Sequence, residues 1–191
     1  MEDKKLIEGF LRGDKLCFDK LVLKYNTMVF NVCFRMLNDL GEALNISQDV
    51  FLKVYQSLEN FKYETKFSTY LYRMSINFSR NRLKASGKLH QKIASSLKNR
   101  KINAQQGNSP KEVTATTSTI QNTVNEKEKS LLILEALNSL PLDYKEIMIL
   151  RELEGLKYEE IADILRIDLG TVKSKLSRAR KFLRKKLKGL L

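Results

Sequence analysis

The stretch from Thr171 to Lys188 reads as one helical run whose two sides cannot share an environment. Advancing 100° per residue from Val172 brings Val172, Leu176, Ala179 and Leu183 within about 40° of one line, an apolar stripe that must be buried. The opposite side presents Ser174, Ser177, Arg178 and Lys181, flanked by Lys173, Lys175 and Arg180. Nine basic residues and no acidic one lie between Lys173 and Lys188. Ahead of this run, residues 158–165 predict a short amphipathic helix, and Ile167 to Gly170 a tight turn. A helix anchored by one apolar face, with donors and cations on the other, is suited to reading duplex DNA. A membrane surface or a partner protein also accepts a basic amphipathic helix. The short preceding helix, the tight turn and the small Ala162 favour DNA. Asp168 fits the N-cap of the long helix. Lys157 stands at the N-cap of the short one and has no acceptor to offer, a loss of ~1 kcal/mol that Glu159 and Glu160 partly offset at the positive end of the helix dipole.

Charge points the same way. Lysine and arginine number 35 against 22 acidic residues, a net +13 that calls for a polyanionic partner. The excess is spread along the chain, with +4 in residues 1–87, +4 in 88–128 and +5 in 129–191. No apolar run approaches the ~18 residues of a membrane span. Met1-Glu2-Asp3-Lys4-Lys5 is no signal peptide, so direct membrane insertion is not expected and a cytoplasmic protein is. Cys17 and Cys33 fall on or beside an apolar stripe and read as buried thiols. Enzyme readings find no support. The single histidine, His90, sits in a polar stretch, and there is no glycine-rich phosphate loop, metal-ligand cluster or Ser-His-Asp set. No cofactor, metal or catalytic role is expected.

Proline occurs only at 110 and 141, and helical periods dominate, so the fold class is all-α. Phe18, Leu21, Val22, Tyr25, Met28, Val29, Val32, Cys33 and Met36 recur at three- and four-residue steps and predict a helix over 16–37. A second helix is predicted from about Glu42 to Leu58, with Ser47, Val50, Phe51, Val54, Tyr55 and Leu58 inward. A third is predicted from about Lys66 to Ala85 through Phe67, Tyr70, Leu71, Met74 and Phe78, and a short helix near Lys4–Leu11 precedes them all. Residues 88–128, including Asn103 to Pro110 and Thr114 to Thr119, have almost nothing to bury and read as a flexible linker. Periodicity resumes at Ser130-Leu131-Leu132-Ile133-Leu134. Two small helical domains follow, 1–87 and 129–191, joined by that tether.

On the polar side of the third helix, Arg73, Asn77, Arg80 and Lys84 step by four, three and four, with Tyr70 at the head of the stripe. The loop before it carries Phe61 and Tyr63 among polar residues. Cations in a line with aromatics at one end suit a single strand, whose phosphates are neutralised while unstacked bases find π-faces at ~1–3 kcal/mol each. Equally, Phe61 and Tyr63 can pack the loop down and the stripe can be a solvated face. Both readings stay open on physics alone.

Two runs carry a family resemblance. Asp49-Val50-Phe51-Leu52-Lys53-Val54-Tyr55, Phe61 and Phe67-Ser68-Thr69-Tyr70-Leu71-Tyr72-Arg73 resemble region 2 of bacterial extracytoplasmic-function (group IV) sigma factors. Leu140-Pro141, Arg151-Glu152-Leu153-Glu154-Gly155-Leu156, Tyr158-Glu159-Glu160-Ile161-Ala162 and Gly170-Thr171-Val172-Lys173-Ser174-Lys175-Leu176 resemble region 4. The resemblance implies a promoter-specificity subunit of RNA polymerase, with core polymerase, promoter DNA and an anti-sigma factor as partners. Core polymerase would be met by the helix around Gln48, Asp49 and Leu52. The −10 element would be melted and a flipped base held by Phe61, Tyr70 and Asn77. Lys173, Ser174, Ser177 and Arg178 would read the −35 element, with Arg151 and Arg180 on phosphates. The chain departs from the family pattern at Tyr70, where tryptophan is usual, and at Leu44 and Asn45, where acidic residues are. A stand-alone helix-turn-helix regulator binding duplex DNA as a dimer is the rival reading.

Overall fold

The structure is a computed structural model that describes residues 2–100 and 135–188, with side chains for 2–87 and 135–187. All the described regular structure is helical. The expected helix start at 130–134 and the stretch 101–128 of the expected linker lie outside the described residues.

The N-terminal half is built from four helices whose ends are marked in the sequence. α1 (Glu2–Leu11) opens with Glu2 and Asp3 at the positive end of its dipole. α2 (Lys15–Leu37) starts at Asp14, whose carboxylate accepts from Leu16 N at 3.0 Å, and stops where Asn38 turns left-handed at φ 54°. Asp39 then caps α3 (Leu40–Ser57) by accepting from Glu42 N at 2.8 Å. α3 tightens into a 3-10 turn, Leu58–Asn60, and a loop leads to α4 (Phe67–Arg100). Leu21, Val29, Cys33, Val50, Val54 and Leu71 are fully buried where α2, α3 and α4 meet.

α4 runs 15 residues past the expected end at Ala85, so the first part of the expected linker continues the helix. No proline intervenes before Pro110, and the one glycine within α4, Gly87, costs only ~1 kcal/mol in a helix interior. Tyr55, expected inward, is 41% exposed, although its ring edge meets Phe10 and Phe18. Both cysteines are free, Cys33 buried and Cys17 only half-buried.

The C-terminal half begins, as described, with helical residues 135–138. α5 (Leu142–Met148) follows Pro141, whose lack of an N–H suits a helix start. It widens into a π-helical turn, Ile149–Leu153. Gly155 reverses the chain at φ +69°, where a side chain would be strained. α6 (Tyr158–Leu165) starts at Lys157, and the missing side-chain cap is answered from the other direction: the Glu160 carboxylate accepts from Lys157 N at 3.1 Å. Arg166 ends α6 in the left-handed conformation, and α7 (Leu169–Lys188) begins where Asp168 O accepts from Val172 N at 3.0 Å.

The two halves do not stand apart. Ile147, Leu150, Ile161, Val172 and Leu176 share one buried cluster with Val32 and Met36 of α2 and with Tyr72 and Ile76 of α4. The physical reason is a second apolar face on both helices. Val32/Met36 and Tyr72/Ile76 are i,i+4 pairs, and each pair needs cover that the N-terminal half does not supply.

Candidate nucleic-acid interface

α7 takes the orientation its periodicity demands. Val172, Leu176 and Ala179 are buried and Leu183 is half-buried, while Lys173, Ser174, Ser177, Arg178, Arg180 and Lys181 are exposed. Two of these, and the half-buried Lys175 beside them, are engaged. Ser174 Oγ donates to Thr171 O at 3.1 Å, Arg180 donates twice to Glu152 Oε1 at 3.0 and 2.7 Å, and Lys175 donates to Asp143 at 2.8 Å. The Arg180–Glu152 pair is half in solvent, so it contributes at most ~1 kcal/mol and yields readily to a phosphate. Lys173, Arg178 and Lys181 have no ion pair among the described residues. A hollow of about 270 Å³ lies between Tyr158 and the Lys173–Arg184 side of α7. Arg151, expected on phosphate, braces the C-terminal half in the structure without DNA. Its Nη1 donates to Leu156 O at 2.7 Å and its guanidinium lies 4.9 Å over the Tyr158 ring, fixing the entry to α6.

In the N-terminal half, the aromatic loop partly obeys the bland reading. Phe61 packs against Tyr63, Phe67 and Tyr70 with ring centroids 5.1, 5.7 and 5.3 Å away. Tyr63, however, is 41% exposed and holds φ at 57°, a strained value for a bulky residue. Lys4 of α1 reaches within 5.6 Å of its ring. Tyr70 is half-buried, its hydroxyl 2.8 Å from Ser57 Oγ. Asn77 and Lys84 are exposed on the same helix. Tyr70 and Asn77 are seven positions apart, two turns or about 10 Å of rise along α4.

The cation stripe is divided. Asn77 and Lys84 face solvent, but Arg73 and Arg80 are held by the C-terminal half. Arg73 Nη2 donates to Asp163 O at 2.8 Å, and Arg80 makes a two-pronged contact with the buried Glu146, Nε to Oε1 at 2.7 Å. Burial, and Arg166 nearby, lower the Arg73 pKa; the Glu146 carboxylate raises that of Arg80. Gln48, Asp49 and Leu52 lie together on the open side of α3, with Leu44 exposed one turn before them.

Sequence reasoning missed the residues that join the halves. Glu154 accepts from Arg35 Nη1 and from Tyr72 Oη, the latter at 2.9 Å. Lys66 donates to Glu160 at 2.9 Å. Lys145, only 6% exposed, donates to Met36 O at 2.6 Å and to Asn138 Oδ1 at 2.7 Å. The available signal was Lys145-Glu146 set against the apolar run Ile147–Leu150, since a charged pair beside a buried run needs partners.

Residues 21–88 match the family described as sigma-70 region 2, and residues 130–183 match sigma-70, region 4. The chain is 33% identical over its full length to the RNA polymerase sigma-H factor of Pseudomonas aeruginosa, covering 96% of that protein. It is also 33% identical over its full length to the ECF RNA polymerase sigma-E factor of Haemophilus influenzae, covering 98% of it. The chain belongs to the extracytoplasmic-function sigma factors. The fold agrees: the sigma factor RpoE of Bartonella quintana, solved with the anti-sigma factor NepR, superposes with a TM-score of 0.64 at 22% identity, over 90% of this chain and 96% of that one. In this sigma factor the region 2 match contains Gln48, Asp49, Phe61, Tyr70 and Asn77, and the region 4 match contains Arg151 and the exposed basic side of α7 as far as Leu183. No helix among the described residues is long and apolar enough to cross a membrane, and none of their acidic, histidine or cysteine side chains cluster as a metal site.

Proposed function

We propose that this sigma factor directs core RNA polymerase to promoters with two separate surfaces, and performs no chemistry of its own. α7 enters the major groove of the −35 element with Lys173, Ser174, Ser177, Arg178 and Lys181, while Arg180 leaves Glu152 for a phosphate and Arg151 positions α6. Tyr63, Tyr70 and Asn77, with Phe61 behind them, receive unstacked bases of the −10 strand. Arg73, Arg80 and Lys84 neutralise its backbone. The open side of α3 at Gln48, Asp49 and Leu52 meets the polymerase. Leu44 gives that contact an apolar component where the family commonly has an acid. An anti-sigma factor is the expected regulator, as for the Bartonella relative, and the cytoplasm is where these partners meet.

The observation that carries this reading is α7: one buried stripe fixes its orientation and leaves Lys173, Arg178 and Lys181 on the exposed side, without ion-pair partners among the described residues. Run-off transcription with purified core polymerase on the DNA upstream of the chain's own gene tests it. A discrete transcript that appears only when the chain is added supports the reading. Binding to that DNA as a dimer, with no retention on core polymerase and no transcript, would favour the stand-alone regulator.

A further inference from the structure

We infer that the C-terminal half serves as an internal competitor for the −10 strand, with Glu146 in the place of a backbone phosphate on Arg80. The inference rests on the assignment of α4 to single-stranded DNA made above. It starts from the seam, where, among the described residues, three carboxylates that cross it come from one half and their cationic partners from the other. Glu146 holds Arg80, Glu154 holds Arg35, and Glu160 holds Lys66. Arg80 belongs to the stripe assigned to the strand, and a carboxylate gripping it in a two-pronged contact uses the fork that a phosphate would use. Its stripe neighbour Arg73 is covered by the same half, with Asp163 O on Nη2.

The closed arrangement is not the promoter-bound one. Elements centred near −35 and −10 are roughly 85 Å apart along B-DNA at 3.4 Å per base pair. Here Arg73 of α4 touches Asp163 of α6, in the helix immediately before the reading helix. The chain between Arg100 and Glu135 can span up to about 120 Å, so the halves can separate without unfolding. Separation is also favoured locally at one point. Arg73 Nε is buried without an acceptor among the described residues, a deficit that water or a phosphate relieves once the halves part. The seam is therefore a two-state element that single-stranded DNA and the acidic side chains of the C-terminal half bias in opposite directions.

The test uses the full chain with Glu146→Gln and Glu154→Gln combined. Glu135→Gln with Glu159→Gln serves as a control of equal charge change on exposed positions. Small-angle X-ray scattering reads opening as a larger radius of gyration, and fluorescence anisotropy reads affinity for a short labelled oligothymidylate. Releasing a closed state that hides the site raises apparent affinity by the inverse of its open fraction, an expected gain of ~tenfold against under about twofold for the control. Because Glu146 is nearly fully buried, a second pair guards against misfolding: Glu154→Arg opens the chain, and adding Arg35→Glu closes it again. Folded variants that keep the compact radius, or that open without a gain in affinity over the control, overturn the competitor. Loss of core-dependent transcription by the unmodified chain would instead overturn the functional reading beneath it.

Discussion

Arg80 and Glu146 meet across the seam between the two halves, Nε donating to one carboxylate oxygen at 2.7 Å while the second nitrogen grips the other oxygen. The Glu146 side chain is 2% exposed and that of Arg80 31%. Arg80→Ala would leave a buried carboxylate with no counter-charge. The expected cost to the closed form is ~3 kcal/mol, the lower end for a broken buried pair because Arg80 is partly wet. Arg80→Leu combined with Glu146→Leu should recover most of it. Denaturant unfolding of the two variants checks the ordering. A double variant less stable than Arg80→Ala would show that the pair stabilises more than an apolar replacement does.

Lys145 makes the seam sensitive to alkali. Burial pulls its ammonium from an ordinary 10.5 down to about 8, although Met36 O and Asn138 Oδ1 both accept from it. In the open form it is solvated and keeps its proton to higher pH. Between about 8 and 10 the open form therefore binds more protons than the closed form, and closure gains stability as pH rises. Tyr72 Oη, raised by burial and Glu154, stays protonated through this window. The radius of gyration should fall from pH 8 to 9, and Lys145→Met should abolish the change. An expansion over that interval would contradict the burial argument.

α1 approaches α2 through a glycine. A Cβ on Gly9 would stand 2.5 Å from Cys17 Sγ, closer than van der Waals contact permits. Gly9→Ala should destabilise by ~1–3 kcal/mol through overpacking. Adding Cys17→Ala removes the sulfur, leaving only a 3.4 Å contact, and should restore the melting temperature. A double variant that melts as low as Gly9→Ala would place the strain elsewhere.

On the −35 side, Arg178→Ala should weaken binding by ~1–3 kcal/mol and relax preference at one base pair. Lys185→Ala, farther along α7, should weaken all sequences slightly. Competition binding against single-base variants of the site separates the two outcomes. Equal, sequence-independent losses would move Arg178 from base reading to phosphate contact.

Periodicity placed α2, α3, α6 and α7, because each has an apolar face that repeats at three- and four-residue steps. It could not place the seam. Tyr72 and Ile76 look like surplus apolar residues on a helix already oriented by Phe67 and Leu71, and only a second body explains them. For the same reason Arg73 and Arg80 read as a free stripe in sequence, whereas tertiary contact with Asp163 and Glu146 occupies both. Arg151 shows the converse: its motif was legible, but its stacking on Tyr158 depends on the turn that Gly155 allows.

The central claim is that α4 and its loop open promoter DNA, and transcription from paired and pre-opened templates tests it most directly. Tyr70→Ala and Asn77→Ala, checked for folding by melting temperature because Tyr70 also contacts Phe61, should retain core polymerase and fail on a fully paired promoter. A template already mismatched across the −10 element removes an unpairing cost of a few kcal/mol. It should restore activity in part, more for Tyr70→Ala, which loses stacking, than for Asn77→Ala, which loses base discrimination. Well-folded variants that transcribe the paired promoter at the unmodified rate would contradict the account.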